Sequence, residues 1–161
     1  MSKLSPAADR LPRSSGAAGH AYHAYGSRKN GSFGVGVATP AVILVVEDSE
    51  DLRCCVAEYL RIAGFEVVAT ENARQALAAI DAGIHIDLVF TDINMPGAMD
   101  GAALARWIAV NRPLLPIILT SGQSCPDLER AGPHRRFVRK PYSLDALEHD
   151  VREMIGTVVV Q

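Results

Sequence analysis

Five side chains able to do chemistry stand where short apolar runs stop. Glu47 and Asp48 end the run 41–46, Asp92 ends the run 86–91, Thr120 ends the run 117–119, and Lys140 follows Phe137-Val138-Arg139. If those runs are parallel strands, their carboxyl ends share one edge, which is where open α/β sheets bind ligands. Three carboxylates, a hydroxyl and an ammonium gathered there suit a divalent cation and a phosphoryl group. Two like charges about 4 Å apart repel by roughly 4 kcal/mol at an effective dielectric of ~20, so such a cluster needs compensation. Lys140 supplies one positive charge. Mg²⁺, a hard ion that takes one or two carboxylates plus waters, would supply the rest. The backbone carbonyl of Asn94, two residues past Asp92, is placed to be a further ligand. A carboxylate held in this way can attack a phosphoryl group and form an acyl phosphate. Lys140 and the Thr120 hydroxyl would each take a phosphoryl oxygen. The adduct would add about −1.5 to −2 charge, enough to reorient those groups as a two-state switch.

Positioning these groups requires alternating strands and helices. The run 41–46 is apolar and β-branched, as expected of a strand buried on both faces. A helix follows with Leu52, Val56, Tyr59 and Ala63 on one face, closed by Gly64. Residues 65–70 alternate as a strand. Asn72 caps a helix with Gln75 at the capping-box spacing, and Ala76, Leu77 and Ile80 form its apolar face. Strands are predicted over 86–91, 116–120 and 137–139. Asp100 precedes a helix with Leu104, Trp107, Ile108 and Asn111, and Ser143 caps a last helix striped by Leu144, Leu147, Val151, Met154 and Ile155. Such alternation implies βαβ units around a parallel sheet with right-handed crossovers. The expected fold is α/β, a flavodoxin-like, doubly wound five-stranded parallel sheet of order 2-1-3-4-5. That order puts Glu47 and Asp48 beside Asp92.

The chain has 161 residues, 48% hydrophobic and 21% charged, enough for one domain with a core. No apolar stretch approaches the ~20 residues of a bilayer span, and no secretory signal is evident, so a cytoplasmic protein without a membrane partner is expected. Cys54, Cys55 and Cys125 lack zinc-ligand spacing and read as reduced thiols. Residues 1–38 lack periodicity and read as a flexible, disordered tail preceding a domain over 39–161. His20 and His23 there make a poor metal cage. Residues 1–40 carry five basic residues against Asp9 alone, net +4, while the remaining 11 basic and 17 acidic residues leave −6. An acidic domain of this kind excludes nucleic acid as the expected partner. Arg135, Arg136 and Arg139, with His85 and His134, read as solvated surface.

Four motifs in order resemble the bacterial response-regulator receiver family: Ile-Leu-Val-Val-Glu-Asp-Ser, Thr-Asp-Ile-Asn-Met-Pro followed by Met-Asp-Gly, Ile-Leu-Thr-Ser-Gly, and Val-Arg-Lys-Pro-Tyr. They span residues 41–155. The resemblance implies that Asp92 accepts a phosphoryl group from a histidine kinase or histidine phosphotransfer protein in a two-component relay. It implies Asp48 as a direct and Glu47 as a water-mediated Mg²⁺ ligand, Thr120 and Lys140 on the phosphoryl group, and a cis Lys140-Pro141 bond. Thr120 and Phe137 are the implied switch pair. Two departures stand out. Gly97-Ala98 lengthens the loop after Met-Pro by one residue, and Pro126 and Gly132-Pro133 leave room only for a short helix over 127–131. With one helix after Lys140, the expectation is a stand-alone receiver. It would catalyse only its own phosphorylation and dephosphorylation and act in trans on an output protein. The enzyme rival is a haloacid-dehalogenase-type phosphatase, which needs an acid two residues after the nucleophile, where Asn94 stands. A third reading is a phosphorylation-independent interaction module, against which the intact acidic pair, Asp92, Thr120 and Lys140 argue.

Overall fold

The computed structural model describes residues 39–123 and 133–158. The apolar runs form five strands, β1 (Val42–Val46), β2 (Glu66–Thr70), β3 (Leu88–Asp92), β4 (Ile117–Ser121) and β5 (Arg135–Arg139). Between and after them lie helices α1 (Glu50–Ile62), α2 (Ala73–Asp81), α3 (Gly101–Asn111) and α4 (Leu144–Val158). Every strand pair is parallel and the order is β2-β1-β3-β4-β5, the flavodoxin-like arrangement expected from the sequence.

Strand side chains alternate between faces, and both sets are apolar here. Ile43, Val45, Leu88, Phe90 and Ile118 meet Val56 and Leu60 of α1 and Leu147, Val151 and Met154 of α4. Leu44, Val46, Val89, Ile117 and Leu119 meet Ala73, Ala76 and Ile80 of α2 and Leu104, Ala105 and Ile108 of α3. Each fully buried aliphatic side chain contributes about 1.5–3 kcal/mol, so both faces resist a slip in register. The helix ends follow local chemistry. Gly64 adopts φ +95°, and Phe65 N–H and Gly64 N–H donate to the Leu60 and Arg61 carbonyls, a Schellman end for α1. Asn72 Oδ1 accepts from Gln75 N–H, Asp100 Oδ1 from Ala103 N–H and Ser143 Oγ from Ala146 N–H.

Several expectations need correction. Of the expected α1 face, Val56 is buried and Leu52 and Ala63 pack against the core, with Ala57 and Leu60 buried beside them, while Tyr59 turns to α4 and donates to Asp145. The helix packs against the sheet and α4 together, so its apolar arc is wider than the four positions named. Asn111 is exposed, and its side-chain amide donates to the Trp107 carbonyl at the end of α3. β3 starts at Leu88, two residues later than expected, and Asp87 just before it is tied to β1 twice: its N–H donates to the Val42 carbonyl at 2.9 Å and its carboxylate accepts from Val42 N–H at 2.8 Å. β5 begins two residues early, at Arg135, paired with Ile117. Arg136 is not merely solvated, since its guanidinium bridges Asp150 and Glu153 of α4. His85, though largely exposed, contacts Asp87 at 2.9 Å. Cys54 and Cys55 are free thiols. The tail over residues 1–38, Cys125 and the short helix expected over 127–131 lie outside the described residues.

Candidate functional site

Three strands end level with one another. Val46 pairs with Thr91 and Asp92 with Thr120, so Glu47, Asp92 and Thr120 meet at the carboxyl edge of adjacent strands. Glu47 and Asp92 are buried and Asp48 is exposed, and one carboxylate oxygen from each lies within 4.8 Å of the others. Lys140 reaches in from the end of β5. Its ammonium donates to Asp92 Oδ2 at 2.5 Å and to Glu47 Oε2 at 3.2 Å. The other Asp92 oxygen, Oδ1, accepts from Asn94 N–H at 2.9 Å. Lys140-Pro141 is cis, as the resemblance implied.

Burial pushes the Glu47 carboxyl above its ordinary range, against the opposing pull of Lys140. Burial alone would lower the Lys140 ammonium, but its hydrogen bond to Asp92 and the charges of Glu47 and Asp92 outweigh that and raise it. Lys140 is therefore a fixed positive charge. One ammonium facing three carboxylates leaves an excess of negative oxygen, and an all-oxygen donor set of that kind fits a hard divalent cation such as Mg²⁺. Thr120 is fully buried, and its hydroxyl has no hydrogen-bond partner among the described residues. Phe137 pairs with Leu119 across β4 and β5 and packs, half-buried, against the core under α2 and α3. The structure thus brings the Glu47, Asp48 and Asp92 carboxylates and the Lys140 ammonium together, with Thr120 beside Asp92 on the neighbouring strand, Asn94 touching Asp92 through its backbone N–H, and Phe137 one strand beyond Thr120.

Sequence reasoning missed four supporting residues. Arg53 donates from Nη1 to the backbone carbonyls of Glu47 (2.7 Å) and Asp48 (3.3 Å). Ser121 Oγ accepts from the Asn94 side-chain amide at 2.7 Å and from Gln123 N–H at 3.1 Å, strapping two loops of the mouth together. Tyr142 stacks edge-on to Phe90 with its hydroxyl buried and unpartnered among the described residues. Gly101 sits against the Asp92 carbonyl. Of these, Gly101, Ser121 and Tyr142 lie inside the quoted motifs, and only Arg53 had no local signal beyond being a basic residue one turn into α1. The lengthened loop is accommodated with Gly97 at φ +121°, a conformation glycine adopts without strain, and Asp100 still caps α3.

A parallel 2-1-3-4-5 sheet carrying an acidic pocket and a lysine at its carboxyl edge defines a receiver-type α/β domain. The chain belongs to the response regulator receiver domain family, whose pattern it matches over residues 43–152. It is 38% identical over 121 residues to the C4-dicarboxylate transport transcriptional regulatory protein DctD of Rhizobium meliloti, covering 71% of this chain and 25% of that one. It is similar in structure to a response regulator receiver protein from Sinorhizobium medicae, with a TM-score of 0.68 and 28% identity, covering 74% of this chain and 97% of that one. The response regulator protein TrrA from Thermotoga maritima, solved in complex with Mg²⁺ and BeF, gives a TM-score of 0.63 at 30% identity, covering 71% of this chain and 98% of that one. The chain spans about a quarter of the length of the curated relative DctD. Among the described residues no helix is long and apolar enough to cross a membrane.

Proposed function

We propose that Asp92 is the phosphoacceptor of this receiver domain, with Glu47, Asp48, Asp92 and the Asn94 carbonyl holding Mg²⁺, and with Thr120 and Lys140 receiving the phosphoryl oxygens. One observation carries the reading: a buried Asp92 carboxylate is held through its two oxygens by Lys140 Nζ and Asn94 N–H, with two further carboxylates within 4.8 Å. Bound Mg²⁺ would neutralise charge developing on the phosphoryl oxygens. Asp92 attacks phosphorus, an O–P bond forms, and the N–P bond of a donor phosphohistidine breaks as the imidazole leaves with its electron pair. Lys140, fully protonated, moves from the carboxylate to the new phosphoryl group, so catalysis is positioning and charge neutralisation. The unpartnered Thr120 hydroxyl turns to a phosphoryl oxygen, and the space it leaves admits the Phe137 ring, changing the surface offered to an output protein. The donor is a histidine kinase or histidine phosphotransfer protein. The domain catalyses only its own phosphorylation and dephosphorylation.

The test is labelling by radioactive acetyl phosphate in Mg²⁺. Wild-type protein takes up about one acid-stable, base-labile phosphoryl group and Asp92→Asn takes up none. Label retained by Asp92→Asn rejects the assignment, and continuous turnover of phosphomonoesters would favour the phosphatase reading instead.

A further inference from the structure

The carbonyls that end β1 need partners. Glu47 N–H still donates to the Thr70 carbonyl of β2 at 3.1 Å, but β1 ends at Val46 and Glu47 and Asp48 lie in the turn to α1. One guanidinium takes both: Arg53 Nη1 lies 2.7 Å from the Glu47 carbonyl and 3.3 Å from that of Asp48. Arg53 is itself fixed in the first turn of α1, where its N–H donates to the Ser49 carbonyl at 2.9 Å. The turn carrying the acidic pair is thus closed by a charge-assisted clamp.

We propose that Arg53 is a positioning residue for the divalent cation: by pinning the backbone beneath Glu47 and Asp48 it holds their carboxylates together and sets the pocket's cation affinity. The inference rests on the reading of the acidic pocket as a cation site. Arg53 acts on a bound cation in two ways of opposite sign. Its charge repels the ion, so by charge alone its removal tightens binding. Its hydrogen bonds hold mutually repelling carboxylates in place, so by positioning alone its removal loosens binding, because gathering them again is drawn from the binding free energy. The sign of the change therefore separates a positioning role from a plain surface charge. Lysine keeps the charge but not the planar guanidinium, so it separates the two again.

The experiment is Mn²⁺ titration of the full chain followed by electron paramagnetic resonance, with Mg²⁺ as competitor at fixed ionic strength. It compares wild type, Arg53→Gln and Arg53→Lys, with circular dichroism melts confirming that each is folded. Arg53→Gln is expected to weaken binding about tenfold, the scale of outer-shell partners of metal sites. Arg53→Lys should fall between it and wild type. Affinity equal to or tighter than wild type in Arg53→Gln overturns the proposal. If the glutamine variant does not fold, wild-type affinity in Arg53→Lys overturns it alone. A wild-type chain that binds no Mn²⁺ or Mg²⁺ overturns the cation reading itself, whereas wild-type binding that the variants leave unchanged removes only the role of Arg53.

Discussion

A Cβ built on Gly101 would stand 1.8 Å from the backbone carbonyl oxygen of Asp92. The start of α3 therefore leans directly on the residue at the centre of the pocket, and Gly101 N–H closes the approach by donating to the Ile93 carbonyl at 3.1 Å. Neither side of that contact is a flexible side chain, so a methyl group must push backbone. Gly101→Ala should destabilise the domain by about 2 kcal/mol, the scale of overpacking, despite alanine's better helix propensity. Urea unfolding would measure it, and a midpoint no lower than wild type would mean that α3 shifts freely. Displacement of Asp92 should also slow its labelling.

The Thr120 hydroxyl, which has no hydrogen-bond partner among the described residues, costs the resting state something, because a buried polar group without a hydrogen bond is unfavourable by about 1–3 kcal/mol. Thr120→Val, nearly isosteric, should therefore be as stable as wild type or up to about 1 kcal/mol more stable. Its melting temperature should rise less than that of wild type when Mg²⁺ and beryllium fluoride are added. A marked loss of stability before any addition would show that the hydroxyl has a structural partner.

Lys140 holds Glu47 and Asp92 together. Lys140→Ala removes the ammonium and leaves two buried carboxylates facing each other, so it should lose about 1–3 kcal/mol in the presence of a chelator. A divalent cation should restore more of that loss than it adds to wild type. Melting curves with EDTA and with Mg²⁺ measure both quantities, and equal Mg²⁺ shifts in the two proteins would contradict the charge argument.

Tyr59 ties α1 to α4 by donating to Asp145 and to Glu148, the latter at 3.3 Å. The hydrogen bond to Asp145 is the main reason its phenol is pushed up from 10.0 to about 12. A folded-state pKa above the unfolded value contributes stability that is complete below about pH 10 and is lost as pH rises through about 12. Absorbance at 295 nm during alkaline titration should lose a late component in Tyr59→Phe, and Asp145→Asn should move that component to lower pH. Superimposable titrations of wild type and Asp145→Asn would refute the link.

Much of the site was legible because its signals are local. An apolar run followed by Glu47-Asp48, by Asp92 or by Thr120 marks a buried strand and its polar end within a few residues, and the alternation of runs with helical patterns implies a parallel sheet, which the order 2-1-3-4-5 fits. Lys140 could be named from Lys-Pro after a strand, though it stands 93 residues from Glu47 and 48 from Asp92. The misjudged features depend on what the chain meets after folding. Tyr59 joined a helix seam rather than the core stripe, and Arg136 found Asp150 and Glu153 on α4, since burial of a helix face is decided by its neighbours and not by its own period. The closeness of Gly101 to Asp92, the clamp of Arg53 on two carbonyls and the strap from Asn94 to Ser121 arise only from the folded backbone path. Periodicity in the chain determined which residues end the strands. Tertiary packing decided which carbonyls and carboxylates those ends were left to share, because hydrogen-bond partners are chosen by distance in space.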